Sequence, residues 1–313
     1  MKERLRGGLF PAVPVPRRED GSLDGAAQDA YARWMAAQPV AGAAVWVHTG
    51  RGLLIPPALR REVLRSWREA LGPERLLIAG AGAPVTEAQY DRHAVRMAEE
   101  AAAGGADALL CFPPVPHHSE PGKIVAYHRE LAAVGLPLIL FFLYERAGGV
   151  TYTPEVLREL LALPGVVGIK MATLDSVITY QDMAALIREE FPEQMLITGE
   201  DRFLGYSLLL GAQAALIGMG AAVPAPQAAL VRAAVEGDGA RLVALTRAVD
   251  AFARVTFRAP LEGYIRRMLW ALADTGVIPA TATEDPDGPP LSPTEREEVR
   301  RATLALAALP AAG

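Results

Sequence analysis

Along the chain, short and nearly all-apolar runs alternate with longer stretches whose charged and apolar residues are spaced as on an amphipathic helix. The apolar runs lie near 9–15 (LFPAVPV), 43–47 (AAVWV), 76–80 (LLIAG), 108–112 (ALLCF), 138–143 (LILFFL), 166–170 (VVGIK), 195–198 (MLIT) and 214–219 (AALIGM). Strands of a parallel sheet read this way, because both of their faces are covered and no polar alternation survives. Between the runs the spacing predicts helices over 58–70, 87–103, 123–133, 154–163 and 176–190. Thr153 before Pro154 and Glu155 suits an N-cap followed by proline in the first helical turn. Glycines at 72, 104, 105, 135 and 165 fall where each helix must stop and the chain turn back.

Eight such β units, each followed by a helical segment, fill residues 9–235. A (β/α)8 barrel needs about 250 residues, so count and length agree. A doubly wound open sheet competes, but the one glycine cluster resembling its phosphate loop, Gly80 to Val85, lacks the third glycine and carries Pro84. After residue 219 no strand-like run occurs. Segments 239–273 and 293–308 read as helical, joined by a stretch rich in proline and aspartate at 279–293. The expected organisation is therefore α/β: a TIM barrel over 1–235 and a helical extension over 236–313. That extension, of about three helices, should pack on the barrel or on a neighbouring subunit.

Composition narrows the class. The 313 residues are 51% hydrophobic and 21% charged, an ordinary globular balance, and the net charge of -5 offers no basic surface for nucleic acid. With Cys111 alone, no intrachain disulfide can form, which suits a reducing compartment. The charged start and the prolines at 11, 14 and 16 do not fit a secretory signal. The longest strongly apolar run, 136–144, falls far short of the ~20 residues of a membrane span. A cytoplasmic protein without membrane or nucleic-acid partners is expected.

In such barrels the chemistry sits at the C-terminal ends of the strands. His48 and Thr49 fall there after strand two, Tyr144, Glu145 and Arg146 after strand five, and Gly199, Glu200 and Asp201 after strand seven. Lys170, at the end of strand six, is the most informative. Partial desolvation lowers a lysine's pKa from ~10.4 and leaves a neutral amine able to attack a ketone. The other reading is an ammonium that reaches solvent or pairs with Glu200 or Asp201.

The segment Gly165-Val-Val-Gly-Ile-Lys-Met-Ala-Thr173 resembles the Schiff-base segment of the dihydrodipicolinate synthase/N-acetylneuraminate lyase family. Further stretches agree in the family's order: Gly8 to Pro16 with Asp20 to Asp24, Trp46 to Gly52, Gly199 to Asp201, Leu210 to Ala212, and Ile217 with Gly218. The resemblance spans almost the whole chain and implies a class I aldolase mechanism. A lysine, here Lys170, condenses with pyruvate or a longer 2-oxo acid, and the protonated imine serves as an electron sink. Strand-two amides bind the carboxylate, a tyrosine hydroxyl moves protons, and no metal or diffusible cofactor is needed. It also implies a homotetramer.

Several positions depart from the family pattern. Its two hydroxyl residues, glycine and glutamate after strand two become His48, Thr49, Gly50 and Arg51. Thr49 and Gly50 keep a turn able to aim amides at a carboxylate; His48 is either a proton relay or a loop histidine bonded to backbone. The strand-five tyrosine aligns with Phe141, which carries no proton. Tyr144 lies three residues on, and can reach the site only if the strand ends or bulges between them. Arg146 keeps the family's arginine position, where it could grip a second carboxylate or form a surface ion pair. Phe141, Gly199 and Ile217 are the remaining expected substrate contacts. The tyrosine that follows strand four in the synthases is missing from Cys111-Phe-Pro-Pro-Val-Pro-His-His118. Cys111 and Trp46 read as packing, and the adjacent His117 and His118 are a weak metal signal.

These features favour a lyase, an aldolase or dehydratase on pyruvate or a 2-keto-3-deoxy sugar acid. The alternatives are a true 4-hydroxy-tetrahydrodipicolinate synthase, against which the dismantled tyrosine relay argues, and a non-catalytic 2-oxo-acid-binding protein on the same barrel. A metal-dependent barrel aldolase would need more convergent His and Glu ligands than the sequence offers.

Overall fold

The computed structural model describes residues 1–174 and 176–309. All eight apolar runs are strands: β1 (Leu9–Pro11), β2 (Gly42–Val45), β3 (Leu76–Ala81), β4 (Ala108–Cys111), β5 (Leu138–Leu143), β6 (Val166–Ala172), β7 (Met195–Thr198) and β8 (Ala214–Ile217). The helices are α1 (Lys2–Leu5), α2 (Gly25–Ala36), α3 (Pro57–Leu71), α4 (Tyr90–Ala103), α5 (Pro121–Ala132), α6 (Pro154–Leu161), α7 (Val177–Glu190), α8 (Leu204–Leu209), α9 (Pro224–Glu236), α10 (Gly239–Thr256), α11 (Tyr264–Asp274) and α12 (Pro293–Ala307). From β2 to β8 each strand pairs in parallel with the next in sequence, and β1 pairs in parallel with β8. A parallel bridge between Ala12 and Ala44, with the Val13 N–H donating to the Ala44 carbonyl at 3.0 Å, closes β1 onto β2. The sheet is a (β/α)8 barrel.

Strand alternation divides the apolar residues into two cores. Phe10, Ala44, Ile78, Leu110, Phe141, Ile197 and Leu216 point into the barrel, while Leu9, Val45, Leu77, Leu109, Leu140, Ile169 and Ala215 meet the helices outside. Each large side chain so buried contributes about 1.5–3 kcal/mol relative to exposure, which fixes the register against one-residue slips. Strand β6 runs two residues beyond Lys170, its expected end, because Met171 still pairs with Phe142 and Thr198, and Ala172 with Leu143. Thr153 caps α6 as expected, its side chain accepting from the Val156 N–H at 3.3 Å.

The segment 239–273, expected to be helical, forms two helices with a break between them. Helix α10 stops at Thr256 and α11 starts at Tyr264, with Pro260 between them, a residue that cannot donate in a helical ladder. This break carries Phe257, Leu261 and Glu262 to the barrel mouth. It is held by Arg267, a fully buried side chain. The guanidinium donates to Glu295 at 3.0 and 2.7 Å and to the carbonyls of Thr256 and Arg258 at 3.2 and 2.9 Å. Helix α12 packs on α10 and α11, and α10 on α8 and α9 of the barrel shell. Among the described residues, no helix is long and apolar enough to cross a membrane.

Candidate active site

Lys170 faces the barrel interior because its neighbours Ile169 and Met171 take the outward positions of β6. Its register partner on β5 is Phe141, also inward, and the Lys170 Nζ sits 4.2 Å from the centroid of that ring. Gly199, just beyond β7, leaves the space for the lysine stem: a Cβ there would come within 2.5 Å of Lys170 Cε. Burial lowers the amine to about 8, against the opposing influence of the nearby Asp201 and Glu200 charges. Among the described residues no carboxylate lies within ion-pair distance of Nζ, so the amine is not locked away.

The two acids after β7 have different surroundings. Glu200 is turned into the protein, where it accepts from the Thr173 hydroxyl at 2.9 Å, the Leu174 N–H at 3.0 Å and the Thr173 N–H, so it staples the loop after β6. Asp201 lines the cleft beside Lys170 and accepts from the Met219 N–H at 2.7 Å. Burial raises its carboxyl, while that hydrogen bond and the charge of Lys170 pull it down. A buried amine moved down and a buried carboxyl moved up can hold one proton between them near neutral pH.

The opposite wall comes from the β2 loop and the helical extension. The Thr49 hydroxyl lies 2.9 Å from the Tyr264 hydroxyl, and both residues are buried. Tyr264 stacks on Phe257 with ring centroids 4.5 Å apart, and fits because residue 218 is glycine; a Cβ there would meet Tyr264 Cε2 at 2.8 Å. His48 Nε2 lies 2.8 Å from Glu262 Oε1. Arg51 donates to Glu262 at 2.6 Å and grips the buried Asp285 through two bonds of 3.1 and 2.8 Å. Burial would raise the Glu262 carboxyl, but the His48 hydrogen bond and Arg51 outweigh it and hold it at about 2. Trp46, Arg51 and Leu174, all in loops at this mouth, have positive φ of 60°, 52° and 47° without being glycine. Such strain persists only where the surroundings over-determine the backbone.

Lys170, Phe141, His48, Thr49, Tyr144 and Gly199 therefore meet around one narrow cleft, whose water-accessible space is about 50 Å³. Tyr144 reaches it because β5 ends at Leu143 and the following turn, Glu145–Ala147, releases the chain from strand alternation. Three expected contacts lie elsewhere. Gly50 commits its N–H to the Val47 carbonyl at 3.0 Å and shapes the turn without lining the cleft. Arg146 is carried outward by the turn after β5 and lines a separate surface hollow with Thr151 and Thr179. Ile217 has the outward parity of β8 and joins the helix-facing core; Gly218 takes its place at the wall.

Residues of the extension, Phe257, Leu261, Glu262 and Tyr264, complete the cleft and had no signal in the barrel pattern. Asp201 was legible only as a partner for the lysine. His117 bonds Asp91 at 2.7 Å, well away from the cleft, and His118 is exposed. Among the described residues no group of three or more His, Cys, Asp or Glu side chains could hold a metal ion.

A closed parallel barrel with a desolvated lysine at the C-terminal mouth, an acid beside it and hydroxyls opposite defines a lyase of the class I aldolase type. The comparisons agree. A model of the dihydrodipicolinate synthetase family matches residues 5–306, and the chain belongs to that family. It is 30% identical over 281 residues to the 4-hydroxy-tetrahydrodipicolinate synthase of Alcanivorax borkumensis, covering 88% of this chain and 90% of that protein. It is 31% identical over 212 residues to the N-acetylneuraminate lyase of Rhizobium meliloti, covering 67% and 66%. The dihydrodipicolinate synthase structure from Agrobacterium tumefaciens superposes with a TM-score of 0.84 at 24% identity over 97% and 99% of the two chains. The Ruminococcus gnavus sialic acid aldolase gives 0.84 at 18% over 97% of each, a likeness of fold.

Proposed function

We propose that the protein is a Schiff-base-forming lyase on a 2-oxo acid, pyruvate or a longer one such as a 2-keto-3-deoxy sugar acid, with Lys170 as its nucleophile. The observation that carries this is the buried amine, moved down in pKa and beside Asp201 without an ion pair, opening into a cleft. Asp201 takes the proton the ammonium must shed. The free amine adds to the ketone carbon, and one nitrogen proton passes to the carbonyl oxygen, giving a carbinolamine. The proton held on Asp201 then returns to that hydroxyl, the C–O bond breaks, and water leaves as the nitrogen lone pair closes the C=N bond. The protonated imine accepts the electron pair of the carbon–carbon or carbon–hydrogen bond that breaks next.

The turn through Thr49 and Gly50 is the expected seat of the substrate carboxylate, with His48 at the rim. Tyr144 and Tyr264 are the two tyrosines of the cleft, either of which can serve proton transfer. Phe141, under the amine, and the missing tyrosine after β4 weigh against the 4-hydroxy-tetrahydrodipicolinate synthase reaction that several relatives are named for. A homo-oligomer fits the exposed Ile178 on α7 and Leu209 on α8, and a cytoplasmic location fits the single buried thiol of Cys111.

Borohydride reduction in the presence of a panel of 2-oxo acids, followed by peptide mapping, tests the reading. A single adduct on Lys170, with turnover of at least one acid of the panel, is expected. An adduct without turnover would favour the binding-protein alternative, and the lack of any adduct would defeat imine chemistry.

A further inference from the structure

The proposed addition moves a proton from nitrogen to oxygen on the ketone carbon, and Phe141, the side chain packed directly against the Lys170 Nζ, has no hydroxyl to carry it. Across the cleft lies a ready-made pair. Thr49 and Tyr264 touch hydroxyl to hydroxyl at 2.9 Å, both buried, both lining the same cleft as Lys170. Their placement is built from several independent features: the Phe257 stack at 4.5 Å, the absence of a Cβ at Gly218, and the Arg267 anchor that fixes the break before α11. We propose that Tyr264, supplied by the helical extension, is the outer member of a two-hydroxyl proton relay with Thr49, replacing in function the hydroxyl missing at Phe141.

This inference rests on the imine chemistry proposed above. The relay works without ionising: Thr49 receives the nitrogen proton as its own passes to Tyr264, and the phenol's proton passes on toward the oxygen, or the reverse. Every O–H bond broken is matched by one formed, so both side chains end as they began and no outside donor is needed. Burial moves the Tyr264 phenol well above its ordinary pKa, which disfavours a phenolate and suits a hydroxyl that only hands protons on. Asp201 lines the same cleft, and its charge is felt by both Tyr264 and Lys170.

The test measures the rate and the final yield of the pyruvate adduct on Lys170 by quenching with borohydride at successive times, across pH, in the full chain. Tyr264→Phe keeps the ring and its stack. It should form the adduct to the wild-type yield but roughly 100-fold more slowly, the scale of general acid–base assistance. The pH at which the rate half-rises should stay in place while the plateau falls, since the amine itself is untouched. Thr49→Val should match Tyr264→Phe, Thr49→Ser should stay within about threefold of wild type, and the double variant should be no slower than the slower single one, as for residues acting as one unit. A wild-type rate in Tyr264→Phe, or a larger loss in Tyr144→Phe than in Tyr264→Phe, would overturn the relay. So would a shifted half-rise with a lowered yield, which marks displacement of the lysine. If wild type gives no adduct with any 2-oxo acid, the lyase reading fails and the relay with it; if wild type reacts and Tyr264→Phe reacts equally, only the relay fails.

Discussion

The two walls of the cleft are built by different means. The Lys170 wall comes from adjacent strand ends: Phe141, Lys170 and Gly199 belong to β5, β6 and the residue after β7, and their inward aim follows from alternation and register. The Tyr264 wall joins residues 48–51 to residues 257–264, about 210 positions along the chain, through hydrogen bonds and a broken helix. The first wall is as rigid as the barrel core that sets it. The second depends on a few polar anchors, so it is the one through which specificity and proton traffic can change while the amine stays fixed.

The largest expected effect breaks the first wall at its centre. Lys170→Ala should abolish the borohydride adduct and lower turnover by at least about 10³-fold, with the fold retained, because no other described amine lines the cleft. Next, Arg267→Met strikes the anchor of the second wall. Removing the cation strips two bonds from Glu295, which keeps the Ser292 N–H and the more distant Arg258, and leaves the Thr256 and Arg258 carbonyls without their donor, so denaturant unfolding should show a loss of about 3 kcal/mol. An unchanged midpoint would mean the extension is held by apolar packing alone.

Gly199→Ala sharpens the contrast from the other side. Its methyl group would meet the lysine stem at 2.5 Å, so adduct formation should slow by roughly 10- to 100-fold, as expected for a displaced reacting group, while melting changes little. Asp285→Asn, which weakens the two-bond grip on Arg51, should cost about 1–2 kcal/mol and loosen the β2 loop, read as a raised KM with kcat nearly kept. The smallest perturbation is pH. With the amine lowered to about 8 by burial, its neutral fraction grows as pH rises, so the adduct rate should climb from roughly pH 7, half-rise near 8 and level off above about pH 9. A half-rise near the ordinary lysine value would mean water reaches Nζ freely.

The same contrast explains what the sequence could tell. All eight strands were legible because each is a buried apolar run, and Lys170 stood out as a cation inside one. Phe141 was recognisable as an anomaly for the same reason. The arrival of Tyr144 followed from where β5 ends, which alternation alone leaves open. Tyr264 and Glu262 were not legible: an amphipathic helix declares which face is buried but not what it is buried against, and the break at Pro260 that aims them lay inside an otherwise helical pattern. Arg146 and Ile217 were misplaced by one structural step each, a turn that swings outward and a parity that faces the helices.

Central to the account is a Lys170 amine, free at the mouth of the barrel, that captures a carbonyl carbon. A crystal structure of the protein soaked with pyruvate tests this most directly. The account predicts continuous density from Nζ to the ketone carbon, with the carboxylate against the Thr49 turn. Pyruvate lying unbonded in the cleft, with Nζ closed onto Asp201 as an ion pair, would contradict it.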